Sequence, residues 1–246
     1  MSGARSSSDR HRHSELGPAG HHADVSAPAG TVPPVRPGLF VSFEGGDGAG
    51  KTTQSRLLGA WLEGLGYEVV RTREPGGTEL GRTLREAVLH GGHVDARTEA
   101  LLYATDRAHH VASVVRPALA RGAVVVTDRY LDSSVAYQGT GRELGAAEIE
   151  RLNLWAVDGL LPSVTVLLDL DPAAMAARLT GAPDRLERAG DEFHRRTRAA
   201  FLERAAADPG RWLVLDAARP VEELAADVRA RVALLLGVDP AAEGSS

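Results

Sequence analysis

The sequence predicts an α/β protein in which a five-stranded parallel sheet carries helices on both faces. Two observations point there. Short β-branched and aliphatic runs alternate along the chain with longer stretches of helical character, the pattern of strands joined by helical crossovers. Two of the runs, AVVVTD at 123–128 and VTVLLD at Val164–Asp169, are apolar without alternation and end in a carboxylate, as strands buried on both faces do. Ligands of such sheets sit at the C-terminal strand edges.

The elements follow in order. Residues 1–37 are rich in Gly, Pro, Ala, Ser and His and hold no Phe, Tyr or Trp. They lack the apolar surface to offset their ordering entropy and are expected to form a disordered N-terminal extension. His11, His13, His21 and His22 have the donors for a loosely held metal, although a histidine-rich tail without a site is the simpler reading. A single domain is expected over residues 38–238, with 239–246 a flexible C-terminal tail. Leu39–Glu44 reads as the first strand, 51–65 as a helix, 68–73 as a second strand and 79–89 as a second helix. Asp95 is an N-cap for a helix running to about His110, followed by another towards Arg121. The third and fourth strands are the two apolar runs, and Trp212–Asp216 is the fifth. In the last helix Val221, Leu224, Val228, Val232 and Leu235 form one apolar stripe for core packing.

Composition narrows the function. With 246 residues and a formal net charge of −5, the chain fits one sizeable domain and does not suggest a nucleic-acid-binding surface. There are no cysteines, which excludes disulfides and thiolate metal sites. No apolar run approaches the ~18–20 residues of a membrane span, and no apolar signal core is present near the N-terminus. A cytoplasmic protein is expected. Of the 28 basic residues, Lys51 is the only lysine.

That lysine lies in Gly45-Gly46-Asp47-Gly48-Ala49-Gly50-Lys51-Thr52, which fits G-x-x-x-x-G-K-[ST] between an expected strand and an expected helix. Glycines let backbone N–H groups turn inward around phosphate oxygens, and the helix adds its positive end. Lys51 reaches the β- and γ-phosphates, Thr52 is placed to ligate Mg²⁺, and Thr53 closes the ATP-binding stretch. The fold class is thereby a P-loop NTPase-type three-layer α/β/α. A regulatory GTPase would need a second lysine for its Asn-Lys-x-Asp guanine motif, and long ATPase machines need more than the roughly 200 residues available here. A compact kinase remains. Asp128-Arg129-Tyr130 ends the third strand, where a carboxylate can hold a magnesium-bound water and an arginine can grip an acceptor phosphate.

Four stretches carry a more specific resemblance: FVSFEGGDGAGKTTQ (40–54), TREPGGTELGRTLRE (72–86), LLYATDRAHHV (101–111) and TDRYLDSSVAYQGTGRELG (127–145). In this order and spacing the chain resembles the thymidylate kinases, and LDLDP (168–172) and RRTRAAFLE (195–203) fit too. The resemblance implies transfer of the γ-phosphoryl group of ATP to dTMP with Mg²⁺, a short lid at about 180–190, and a homodimer. It places Tyr103 against the thymine ring, Arg107 at a thymine carbonyl, and Ser134 and Gln138 at the base edge. Arg73, Arg85 and Arg129 would cage the monophosphate, and Asp47 would accept from the 3′-hydroxyl. Glu44 and Asp128 would lie near the magnesium shell. Some members carry an arginine at the position of Gly48; members without one place arginines in the lid. Here the lid TGAPDRLERAG offers Arg185 and Arg188, with Arg178 at its entrance. Arg185 is expected at the transferred phosphoryl and Arg178 on adenine.

Plainer readings stand beside these. Tyr103 would serve as a core aromatic, Arg73 and Arg85 as surface partners of Glu74 or Glu86, and Ser134 as a helix cap. The alternative functions are a kinase for another nucleoside monophosphate or a deoxynucleoside, and a nucleotide sensor with weak turnover.

Overall fold

All six residues of β1, Leu39–Glu44, are buried, which requires a neighbouring strand on each side and a covering layer on each face. Both are present in the computed structural model, which describes residues 38–178 and 184–241, less the side chains of residues 176 and 177. The expected extension over 1–37 with its histidines, the first part of the lid (180–183) and the end of the tail (242–246) lie outside the described residues. The other strands are β2 (Val69–Arg73), β3 (Val124–Asp128), β4 (Val164–Asp169) and β5 (Trp212–Asp216). Their order is β2-β3-β1-β4-β5, every pairing parallel. The five-stranded sheet is as the sequence predicts.

Alternation along β1 sends Leu39, Val41 and Phe43 to one face and Phe40 to the other. The first face packs against α1 (Lys51–Gly64), through Leu58 and Leu62, and against α9 (Val221–Leu236). The stripe of α9 is narrower than its sequence suggests, since Leu224, Val228 and Val232 are buried while Val221 and Leu235 stay exposed. The second face carries α3 (Ala96–His110), α4 (Arg116–Ala120) and α6 (Ala146–Ala156). Asp95 caps α3 as expected, its Oδ1 accepting from the Arg97 and Thr98 N–H groups at 3.0 and 3.1 Å.

Three helical stretches differ from a plain α-helix. The expected helix at 79–89 is α2 (Glu79–Arg85) followed by a π turn at Glu86–His90, and α3 continues into another at Val111–Val115. After β3, the short α5 (Leu131–Ser134) runs into a π turn at Val135–Gly141. Such turns gather at functional sites because they re-aim side chains from the regular helical face. Then come α7 (Pro172–Arg178), a 3₁₀ turn at Glu187–Ala189 and α8 (Asp191–Ala207). Among the described residues no helix is long and apolar enough to cross a membrane.

The topology positions the site. Where β1 lies between β3 and β4, crossovers leave in opposite directions and open a crevice at the C-terminal strand ends. Register pairs Phe43 with Asp128 and Glu44 with Leu167. The loop after β1 and the Asp128-Arg129-Tyr130 turn therefore emerge side by side.

Asp132 clamps the rear of that turn. Its fully buried carboxylate meets Arg204 of α8 and Arg211, each at 2.6 Å. Removing it takes the buried partner from two largely buried guanidiniums, leaving Arg204 with Glu150 and Arg211 with Asp208, so Asp132→Ala should lower stability by about 2 kcal/mol. Urea unfolding checks this; a loss under about 1 kcal/mol would mean the pairs behave as surface ion pairs.

Candidate active site

The phosphate loop is built by backbone freedom. Gly45 has φ +128°, and a Cβ there would lie 2.4 Å from the Leu168 carbonyl oxygen; Gly50, at φ +98°, opens α1 from a left-handed conformation. Lys51 is buried, and its Nζ donates to the carbonyls of Gly45 and Gly46 at 3.1 and 2.7 Å. Burial, reinforced by Arg129, lowers its pKa. Ala49 sends its methyl into the core, which leaves only its backbone for phosphate. Thr52 Oγ1 donates to Asp128 Oδ2 at 2.8 Å. Gly48, Gly50, Thr52, Thr53, Arg73 and Asp128 line an open polar pocket of about 760 Å³ with Lys51.

A second, narrower pocket adjoins it and holds Tyr103, Arg107, Ser134 and Gln138 together. Asp47, Glu74, Arg85 and Arg129 line both. Arg129 has φ +71°, unusual for a residue with a Cβ. The surroundings enforce it: its N–H donates to the Phe43 carbonyl at 2.9 Å and its carbonyl accepts from Thr127 Oγ1 at 3.0 Å. Its guanidinium donates to Gly45 O, Ser133 Oγ and, at 2.6 Å, Asp47 Oδ1. Burial works against the charge of Asp47, but Arg129 and Lys51 outweigh it and hold the carboxyl down at about 2.

Arg107 is buried among acceptors. It donates to Glu74 at 2.6 Å, Ser134 Oγ at 3.0 Å, the Tyr130 carbonyl at 3.2 Å and the Asn153 side chain. A guanidinium has five N–H donors, so one is left for a ligand. Ser134 is no helix cap; its hydroxyl accepts from Arg107 at the end of α5. Glu74 is not a partner of Arg73. It takes Arg107 and, at 2.7 Å, His110. Arg85 donates to the Pro75 carbonyl at 3.1 Å.

Two residues have partners other than those expected. Glu44 does not join Thr52 and Asp128. It is fully buried, with Oε1 accepting from the Tyr130 N–H at 2.8 Å and Oε2 from Ser133 Oγ at 2.6 Å, so its work is to hold the turn that carries Arg129. Nor is Arg185 at the phosphates. Its Nη1 lies 2.6 Å from Glu99 and its Nε donates to the Val88 carbonyl at 2.8 Å, beyond the base end of the second pocket. Arg178 donates to the Ala217 carbonyl at 3.1 Å, just past β5. Sequence reasoning passed over Tyr137, which lines the second pocket with Arg129 5.1 Å over its ring, and Glu99, which Gln138 contacts. Tyr137 sits inside the DSSVAYQG stretch, so the signal was present.

Burial, with Asp132 adding to it, raises Glu44 from 4.5 to about 7. Between those values the folded state holds a proton that the unfolded chain has released, so this group's contribution to stability falls as pH rises through the window. Relative to Glu44→Gln, which cannot ionise, the wild type should lose about 3 kcal/mol between pH 4.5 and 8. Urea unfolding of both proteins at the two pH values reads the difference; parallel pH profiles would show that Glu44 ionises normally.

A phosphate-loop pocket that shares four lining residues with a second pocket carrying an aromatic ring and clustered polar side chains is what a nucleotide kinase needs, and the relatives agree. The family model described as Thymidylate kinase matches residues 43–228. The thymidylate kinase of Leifsonia xyli subsp. xyli is 63% identical over 206 residues, covering 82% of this chain and 98% of that protein. That of Clavibacter michiganensis subsp. michiganensis is 62% identical, covering 83% and 99%. That of Bifidobacterium longum (strain NCC 2705) is 57% identical, covering 79% and 97%. With the motifs gathered at one sheet edge and the similarity spanning nearly the full length of these relatives, the chain belongs to the thymidylate kinase family.

Proposed function

We propose that the protein transfers the γ-phosphoryl group of ATP to dTMP, giving ADP and dTDP for dTTP synthesis. The observation that carries this is the junction of the two pockets at Asp47, Arg85 and Arg129. ATP phosphates take the Gly45–Thr53 side. The dTMP base takes the side of Tyr103, Arg107, Ser134 and Gln138, which brings the acceptor phosphate to Arg85 and Arg129, with Arg73 at the rim. Asp47 there is ionised, as an acceptor for the 3′-hydroxyl must be. Ring stacking on Tyr103 fixes the base plane.

The residues fit Mg²⁺. Thr52 and Asp128 offer hard oxygen donors beside the phosphate cradle. Among the described residues no three Asp, Glu or His gather into a cage of their own, which suits an ion held mainly by nucleotide phosphates and water. When bound, Mg²⁺ neutralises charge on the transferred group. The chain's own part is positioning and cationic stabilisation by Lys51 and the arginines, with no covalent intermediate. Arg178, beside Ala217, takes the adenine side.

Residues 38–238 carry the whole activity in this reading, in the cytoplasm and without nucleic acid. A homodimer is the expected assembly, and Leu101 of α3 and Trp155 of α6, which is 81% exposed, are apolar surface available for it. Sedimentation that gives only monomer at micromolar concentration would overturn the dimer.

A coupled ADP-release assay with dTMP, dUMP, UMP, dCMP, AMP and GMP tests the function. dTMP should lead dCMP and the purines by at least about 10²-fold in kcat/KM, since a wrong base leaves buried polar groups unmatched; equal use of AMP would refute the assignment. Lys51→Ala should fold and lose about 10²–10³-fold in kcat, the usual cost of one transition-state charge partner. Near-wild-type turnover in a folded variant would remove the phosphate-loop argument.

A further inference from the structure

Glu99 sits in the first turn of α3, fully buried, and lines neither pocket. A charged group so placed is costly unless its surroundings use it. Its Oε2 lies 2.6 Å from Arg185 Nη1 and 3.2 Å from Arg142 Nη2. Its Oε1 accepts from Gln138 Nε2 at 2.7 Å, with Arg142 Nε at 3.4 Å. A carboxylate facing two guanidiniums can only accept.

This settles the direction of the Gln138 amide. An unconstrained glutamine can offer a base either its NH₂ or its oxygen. Here the NH₂ donates to Glu99 at 2.7 Å, which leaves the carbonyl oxygen as the amide's group for the pocket that Gln138 lines with Tyr103, Arg107 and Ser134. Thymine presents an N3–H donor beside a carbonyl; cytosine presents a bare N3 acceptor beside an amino group. An amide oxygen for N3–H, together with the remaining Arg107 N–H in the same pocket for the carbonyl, matches the thymine edge. Against cytosine it sets lone pair against lone pair at N3, and the guanidinium meets an amino donor.

We propose that Glu99 is a positioning residue that locks Gln138 as an acceptor and thereby sets the preference for a pyrimidine bearing N3–H over cytosine. This rests on the dTMP assignment above. Arg185 and Arg142 hold the carboxylate in place, which gives the arginine of the lid segment a task at the base end of the site.

The test uses the full-length protein, with kcat and KM for dTMP, dUMP and dCMP measured for wild type, Glu99→Gln, Gln138→Met and the double variant. Glu99→Gln frees the Gln138 amide to turn over, so the dTMP:dCMP ratio of kcat/KM should fall by about 10-fold or more, mainly through KM. dUMP should follow dTMP, since it shares the N3–H edge. In the Gln138→Met background the Glu99 substitution should change the ratio no further, because the two residues act as one unit. If Glu99→Gln does not fold, Glu99→Asp keeps charge for the arginines while drawing back from Gln138, and the same fall is expected. A wild-type ratio in the folded variant, or a further fall in the Gln138→Met background, overturns the proposal alone. A wild-type protein indifferent between dTMP and dCMP overturns the acceptor assignment and this proposal with it.

Discussion

The contact between Arg129 and Asp47 holds the two halves of the site in one frame. Asp47 belongs to the phosphate loop and Arg129 to the turn after β3, and their 2.6 Å ion pair closes the crevice that the strand order opens. The arginine reaches it only because its backbone is held at φ +71°, a conformation that costs roughly 1–3 kcal/mol in a residue with a side chain. Parallel register meets that cost by handing the Arg129 N–H to the Phe43 carbonyl, and Glu44 reinforces the turn by accepting from Tyr130 and Ser133. Sheet pairing, strained turn and ion pair are thus one device. It places one guanidinium where it lines both pockets at once.

A second layer of buried charge stands behind the pocket that holds Tyr103, Arg107, Ser134 and Gln138. Glu74 joins Arg107 to His110, and His110 Nε2 lies 2.6 Å from Thr72 Oγ1. A chain of contacts thus runs from the end of β2 across α3 to Ser134. Apolar side chains of the same volume would stabilise such a region as well or better. Its benefit is directional: every hydrogen-bonding group of Arg107 except one N–H is committed inside the protein, so the pocket receives one donor in one orientation. Asp106 belongs to the same region, and burial with Glu74 nearby raises it to about 6.

Much of this was legible in the sequence, for a physical reason. Strands buried on both faces advertise themselves as unbroken apolar runs, and the phosphate loop is contiguous, so β1, β3, β4 and the 45–53 cradle are local facts. The 131–141 stretch was not read as an element, because four-residue α5 passes straight into a π turn and the polar residues Asp132, Ser133, Ser134 and Gln138 are buried there. No simple apolar stripe is left to see. Glu44 and Arg185 were singled out for their motifs, and the structure gives them Tyr130 and Ser133, and Glu99 and Val88, as neighbours. Sequence shows that a charge sits near a motif, and only the fold shows which way its side chain turns. The buried carboxylates Glu99 and Asp132 were passed over because a charged residue at helical spacing ordinarily reads as solvated surface.

The single lysine follows from the same geometry. The ammonium of Lys51 lies among the carbonyls of Gly45 and Gly46 and 3.9 Å from Asp47, on a side chain that is only 6% exposed. A compact charge with three freely rotating donors satisfies converging carbonyls and still turns to a phosphate. A guanidinium carries a planar fork of fixed geometry, better matched to a carboxylate or phosphate met face on. Arg129 and Arg85 have such faces, because they line both pockets. The chain keeps its one lysine where the backbone itself closes around the charge.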